Sequence, residues 1–102
     1  MLLLSSSEME QGVAYVETSS LDGESNLKSK TSIPDTKQDR TLEAVAKLAG
    51  MQITCEAPNA HLDRFYGNCR TVGTLHPIPV DMKNLLVRGT SLRNTDFAFA
   101  AV

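Results

Sequence analysis

The sequence has no tryptophan, five aromatic residues and only two cysteines among its 102 residues. Two isolated thiols, Cys55 and Cys69, do not make the disulfide framework that stabilises small secreted domains, so we expect both to be reduced and buried. The longest unbroken apolar run, residues 97–102, has six residues, whereas a membrane-spanning helix needs about 20. The composition therefore predicts a chain that is soluble by itself.

Charge and motifs exclude several classes of function. The chain has 10 basic and 12 acidic residues and a formal net charge of −2, which excludes a strongly basic nucleic-acid binder. The sequence contains neither a phosphate-binding loop ending in Gly-Lys-Ser/Thr nor a His-Glu-x-x-His zinc motif. His61 and His76 have no cysteine or carboxylate at ligand spacing. We therefore expect no nucleic-acid partner, metal site or nucleotide site in this chain.

Short β-rich segments dominate the pattern. Residues 13–18 alternate, with Val13 and Tyr15 on one face and Ala14 and Val16 on the other. Further strands are predicted at residues 2–4, 51–55, 62–66, 85–87 and 97–102, with residues 76–79 as an edge strand or a loop. Because turns separate these segments, the sequence favours a small β-sandwich or jelly-roll-like fold.

One helix is predicted, at residues 41–50. Asp39 or Thr41 can cap its first turn, apolar residues recur at helical spacing, and Gly50 suits its C-terminal end. The preceding stretch, residues 28–40, is polar and contains a proline, which predicts a surface loop. The predicted fold is therefore mainly β with one inserted helix.

An acidic cluster surrounds a glycine turn. Glu17, Asp22 and Glu24 lie around Gly23, and glycine there would let the backbone approach a phosphate closely, with amide hydrogens facing the anion. A carboxylate on such a turn can reach into another domain's active site, orient a water and take its proton. The same residues also fit a solvated hairpin tip, because Asp-Gly is a common turn and glutamate is usually exposed.

Two arginines suggest a second anion site. Arg88 and Arg93 lie in the stretch 84–95 and could form an anion-binding edge. At that spacing the two side chains can fall on different faces of a strand and turn. We therefore favour structural or solvated roles for both.

Four blocks of sequence carry a family resemblance. The first reads Tyr-Val-Glu-Thr from residue 15 and Leu-Asp-Gly-Glu-Ser-Asn-Leu-Lys from residue 21, and the others lie at residues 2–8, 55–67 and 84–95. Together they resemble the actuator domain of P-type ATPases, most closely the phospholipid-flippase branch, whose loop reads Asp-Gly-Glu-Thr-Asn. Ser25 replaces the branch's usual threonine but keeps a hydroxyl group, and Phe97 stands where the branch usually has tryptophan.

The resemblance implies a fold and its limits. Residues 1–102 would form a partial actuator domain, a distorted jelly-roll that is incomplete at both ends. Within it, residues 28–40 would be a polar loop and residues 41–50 an inserted helix.

The resemblance also implies a mechanism. These pumps phosphorylate themselves on an aspartate in Asp-Lys-Thr-Gly within a separate phosphorylation domain, and the actuator's loop glutamate positions the water that hydrolyses the aspartyl phosphate. By position that glutamate is Glu24. Gly23 and Ser25 would flank the phosphate, and Asp22 would shape the loop. Rotation of the actuator pulls on membrane helices and so couples hydrolysis to lipid movement.

Partners and cofactors follow from the same resemblance. The partners would be the parent's phosphorylation domain and membrane helices, with phospholipid as the transported substrate, and the domain would lie on the cytoplasmic side of a multi-pass membrane protein. ATP and magnesium would serve the full-length protein. Because this chain has no Asp-Lys-Thr-Gly, we do not expect it to be active alone. The alternative is a non-catalytic β-rich binding module or an inactive gene remnant.

Overall fold

The computed structural model describes residues 1–8, 10–39, 41–61, 63–71 and 76–102. This described part contains eight strands and two short helices. The strands are β1 (Leu2–Ser6), β2 (Val13–Glu17), β3 (Leu27–Thr31), β4 (Gln52–Cys55), β5 (Tyr66–Arg70), β6 (Ile78–Asp81), β7 (Ser91–Arg93) and β8 (Ala98–Ala101). The helices are α1 (Ser19–Asp22) and α2 (Leu42–Ala46), and a 3₁₀ turn spans Met82–Asn84. The prediction of a mainly β fold is confirmed, whereas the jelly-roll arrangement stays a prediction.

The strands form three antiparallel sheets. β1 pairs with β8 in a two-stranded sheet. β2 lies between β3 and β7 in the second sheet, and β5 lies between β4 and β6 in the third. β2 is therefore held on both edges, which fixes the point where the chain leaves the sheet after Glu17.

β1 supplies side chains to two hydrophobic clusters. Successive side chains of a strand point to opposite faces, so Leu2 and Leu4 enter one cluster and Leu3 enters the other. The first cluster comprises Leu2, Leu4, Ile33, Cys69 and Val80; the second comprises Leu3, Ala14, Val16 and Leu86. Since burial of a leucine side chain stabilises by about 1.5–3 kcal/mol, this short strand is a large contributor to the core.

The expectation of a loop is wrong for residues 28–31, which belong to β3. β3 pairs with β2 in an unbroken antiparallel register. Lys28 and Lys30 lie opposite Val16 and Ala14 and therefore on the core-facing side of the sheet. A lysine can lie there because its aliphatic stem covers apolar surface while its ammonium reaches out.

The stretch after β3 is anchored on β1. Ile33 N–H donates to the Leu3 carbonyl at 3.3 Å, and the Thr36 hydroxyl donates to the Leu4 carbonyl at 2.7 Å. Ile33 and Thr36 are fully buried. The Thr36 bond has a specific cause, because the β1–β8 register shifts between Leu3 and Ser5 and leaves Leu4 without a partner on β8. Arg40, the last residue of the predicted loop, lies outside the described residues.

The helix after this stretch is shorter than predicted. α2 covers five residues of the expected range 41–50 and is followed by turns up to Gly50, which has a φ of +95°. Of the two predicted caps, Asp39 and Thr41, the structure has Thr41, whose hydroxyl accepts the Ala44 N–H at 3.1 Å.

Other strand predictions differ in detail. The strand predicted at residues 85–87 is reduced to a single bridge between Leu2 and Leu85, and β7 was not predicted. Residues 76–79 were predicted as an edge strand or a loop, and the edge strand β6 begins within them, at Ile78. Cys69 is buried as expected, but Cys55 is exposed. Leu62, placed in a predicted strand, lies outside the described residues.

We predict that Thr36→Val destabilises the chain by about 1–3 kcal/mol, because the buried Leu4 carbonyl loses its hydrogen bond. Thr31→Val is the matched control, since Thr31 is exposed in β3 and its replacement should change stability by less than about 0.5 kcal/mol. Urea unfolding measures both values. Equal stability of the two variants would contradict the anchoring of this stretch on β1.

Candidate functional site

The Asp-Gly-Glu-Ser turn lies in the connection between β2 and β3. The two strands pair up to the Glu17–Leu27 position, so both ends of the connection leave the sheet side by side. Between them the chain forms α1, turns at Gly23 and returns to β3. The paired strands therefore fix where the turn stands.

Backbone hydrogen bonds close α1, and Gly23 ends it. The N–H groups of Leu21 and Asp22 donate to the Thr18 carbonyl at 2.8 and 3.1 Å, and Gly23 N–H donates to the Ser19 carbonyl at 3.0 Å. Gly23 has a φ of +75°, a conformation that glycine adopts without steric cost. A Cβ at Gly23 would meet no atom within 4 Å. The surface of the turn is therefore open at this residue.

The Asp22 carboxylate points back into the turn. It accepts the Thr18 hydroxyl at 3.0 Å and the Glu24 N–H at 2.9 Å. The Glu24 N–H is the main cause that lowers the pKa of Asp22, and the Thr18 hydroxyl and Lys28 also lower it. Asp22 therefore joins the start of the connection to the residue after Gly23.

Glu24 stands at the surface beside a lysine. Its side chain keeps 57% of its surface exposed and makes an ion pair and hydrogen bond with the Lys28 ammonium. The same ammonium lies 4.0 Å from Asp22 Oδ2. The hydrogen bond to Glu24 is the main cause that raises the pKa of Lys28. Glu24 is thus paired, but it is not buried.

The other candidate residues lie in different surroundings. Ser25 follows Glu24 and is exposed. Glu17 turns towards β7, where its carboxylate accepts Arg93 Nη2 at 3.0 Å and Nε at 3.1 Å. This pair favours a structural role for Arg93, as the sequence suggested, and Arg88 is exposed. The structure therefore brings Asp22, Gly23 and Glu24 together and leaves Glu17 outside the turn.

Lys28 is the residue of this site that sequence reasoning missed. Its spacing of four residues from Glu24 was visible, but only within a helix does that spacing place two side chains together. Here the contact depends on the return of the chain through Gly23 into β3. The strand register, which the sequence did not predict, was the missing signal.

The described residues contain neither a cluster of metal ligands nor a membrane-spanning helix. Among residues 1–8, 10–39, 41–61, 63–71 and 76–102, no three His, Cys, Asp or Glu side chains group as they would around a metal ion. Over the same residues, no helix has the length and apolarity needed to cross a bilayer.

Comparison with known proteins gives the relatives of this chain. It is 43% identical over 102 residues to the phospholipid-transporting ATPase tat-1 of Caenorhabditis elegans and 41% identical over 102 residues to the phospholipid-transporting ATPase ID of Homo sapiens. It is also 38% identical over 91 residues to a guanylate cyclase of Toxoplasma gondii. No protein-family profile matches it.

The matches cover nearly all of this chain but little of its relatives. They include 100% of the chain in both ATPases and 89% in the cyclase. The chain spans only 9% and 8% of the two ATPases and 2% of the cyclase. It is therefore homologous, over its whole length, to a segment of P-type ATPases. The homologous P-type ATPases are phospholipid-transporting ones, which confirms the resemblance to that branch found in the sequence.

We predict that the amide chemical shift of Glu24 titrates with Asp22 in NMR spectra. Because the folded pKa of Asp22 is lowered, the midpoint should lie below the usual aspartate value of about 3.9. The stabilising contribution of Asp22 is present above that usual value and is lost as the pH falls through the lowered pKa. Asp22→Asn should abolish this titration. If the Glu24 amide shift kept the same dependence on pH in that variant, the contact between Asp22 and the Glu24 N–H would be contradicted.

We also predict that Glu24→Gln lowers the pKa of the Lys28 ammonium, because the ionised hydrogen-bond partner is lost. NMR titration of the lysine side chains measures this value directly. Glu43→Gln is the control, since Glu43 lies in α2 and should leave Lys28 unchanged. A Lys28 pKa that is the same in wild type and Glu24→Gln would exclude the pair in solution.

Proposed function

We propose that this chain is an actuator segment of a phospholipid-transporting P-type ATPase and that Glu24 positions the water that hydrolyses the aspartyl phosphate. In that step the water oxygen forms a bond to phosphorus, the bond between phosphorus and the aspartyl oxygen breaks, and Glu24 takes the water's proton. The products are inorganic phosphate and the free aspartate. Glu24 would be the catalytic residue, with Asp22, Gly23 and Ser25 forming the phosphate loop.

The geometry of the turn is the observation that carries this proposal. Glu24 is exposed at the end of a paired hairpin, while Asp22 holds the Glu24 backbone through a 2.9 Å hydrogen bond. A general base must be both held in place and reachable by its substrate. Gly23 helps to make Glu24 reachable, because no atom lies within 4 Å of the position that a Cβ would take at Gly23.

The rest of the reaction would belong to other parts of the parent protein. A phosphorylation domain would carry the aspartyl phosphate and use ATP and magnesium. Membrane helices would move the phospholipid when the actuator, on the cytoplasmic side, rotates. The names of the homologous ATPases support the lipid substrate, and this chain alone would not complete a transport cycle.

A non-catalytic role is the second candidate. The ion pair between Glu24 and Lys28 is what an ordinary solvated turn also contains. In that case Glu24 would contribute nothing to hydrolysis, and the function of the chain would lie in protein binding. The two candidate functions predict different rates of dephosphorylation for a Glu24→Gln variant.

The test places this chain in a complete ATPase. We would replace the aligned segment of the Caenorhabditis elegans ATPase by these 102 residues, since the match covers all of them. The chimera would be phosphorylated with labelled ATP and chased with unlabelled ATP. We predict that Glu24→Gln slows the loss of the phosphoenzyme by about 10²–10⁴-fold, the usual contribution of a positioned base.

Glu43→Gln in the chimera is the matched control. It removes an exposed carboxylate on α2, far in sequence from the turn, and should dephosphorylate at the rate of the parent chimera. Rapid dephosphorylation of Glu24→Gln would remove the catalytic role and favour the binding module.

A further inference from the structure

Lys28 is the cation that the fold places at the turn. Within the described residues, its ammonium is the one that forms ion pairs with the turn's carboxylates, in direct contact with Glu24 and 4.0 Å from Asp22. The backbone of Lys28 is held in β3 opposite Val16. The ammonium is therefore carried by a paired strand and not by the turn itself.

We infer that Lys28 is a positioning residue that acts through Glu24: its ammonium holds the Glu24 carboxylate in place and offsets its charge when a phosphorylated aspartate approaches. This inference rests on the proposed function. It adds a residue to the Asp-Gly-Glu-Ser loop, because Lys28 lies beyond that loop in the next strand.

Electrostatics gives the reason. A carboxylate that must approach a negatively charged phosphoryl group is repelled by it, and the repulsion grows as water is excluded from the contact. An ammonium beside the carboxylate reduces that repulsion, because it offsets the negative charge. The exposed half of the Glu24 side chain remains free to bind the water.

The neighbouring lysine has a different environment. Lys30 lies on the same face of β3, but its ammonium donates to the Met82 carbonyl at 2.9 Å. Burial lowers the pKa of Lys30, whereas the Glu24 contact raises that of Lys28. Lys30 therefore provides a matched control: its loss changes packing and removes a charge from the same strand without touching the turn.

The experiment measures dephosphorylation in the chimera described above. Lys28→Met should slow the loss of the phosphoenzyme by about 10- to 100-fold, the range expected when a hydrogen bond to a charged group is removed. Lys28→Arg, which keeps the charge, should recover most of the rate. Lys30→Met should dephosphorylate within about twofold of the parent chimera, since the Lys30 ammonium bonds to the Met82 carbonyl and not to a carboxylate of the turn.

Combining Lys28→Met with Glu24→Gln distinguishes a positioning role of Lys28 from a purely structural one. If Lys28 acts through Glu24, then Lys28→Met should add little to the slow rate of Glu24→Gln, because effects within one contact are not additive. If Lys28 only supports the fold, the two effects should multiply.

Each outcome decides the inference. A slow Lys28→Met with a recovered Lys28→Arg and a non-additive double variant supports it. A normal rate in Lys28→Met, an equal loss in Lys30→Met or multiplied effects in the double variant would overturn it while leaving the role of Glu24 intact. Rapid dephosphorylation of Glu24→Gln itself would overturn the proposed function and this inference together.

Discussion

The buried strand β1 is the constraint on which the rest of the structure depends. Its leucines alternate between two hydrophobic clusters, so β1 must be covered on both faces, and both of its edges must find hydrogen-bond partners because unpaired buried backbone groups are costly. β8 pairs with one edge. The stretch after β3 supplies the Ile33 N–H and Thr36 hydroxyl to two carbonyls of β1. The same requirement that completes the core therefore anchors the chain directly after β3, the strand into which the turn returns.

This dependence explains which elements the sequence predicted and which it did not. β2 was predicted because residues 13–18 are rich in β-forming residues, with Ala14 and Val16 on one face, and β8 because its residues are apolar throughout. β3 was not predicted because its sequence, Leu-Lys-Ser-Lys-Thr, has two lysines on the core-facing side. Their aliphatic stems, and not their ammonium groups, cover the apolar surface on that side of the sheet. No count of apolar residues detects such a strand, since pairing with β2 decides its conformation.

The features of the candidate site also divide into those that the sequence predicted and one that it did not. The turn at Gly23 was predicted from local chemistry, because a left-handed residue favours glycine, and the structure has a φ of +75° there. The bond from the Glu24 N–H to Asp22 spans two residues and is also local. The contact of Lys28 with Glu24 is not, since it needs the register between β2 and β3 to aim the lysine at the turn. Local bonds thus shape the turn, and the sheet supplies its counter-charge.

An exposed ion pair contributes little to folding, so stability alone gives no reason for the Lys28 ammonium to stand beside two carboxylates. Asp22 already accepts hydrogen bonds from Thr18 and the Glu24 N–H, and both bonds lie within the turn. Glu24 differs, because its backbone is held while its side chain is left at the surface with Lys28 as its partner. A carboxylate in that condition is restrained by an ion pair and still accessible. Those are the properties that the proposed hydrolysis would need, because its substrate would be an anion brought to Glu24 by another domain.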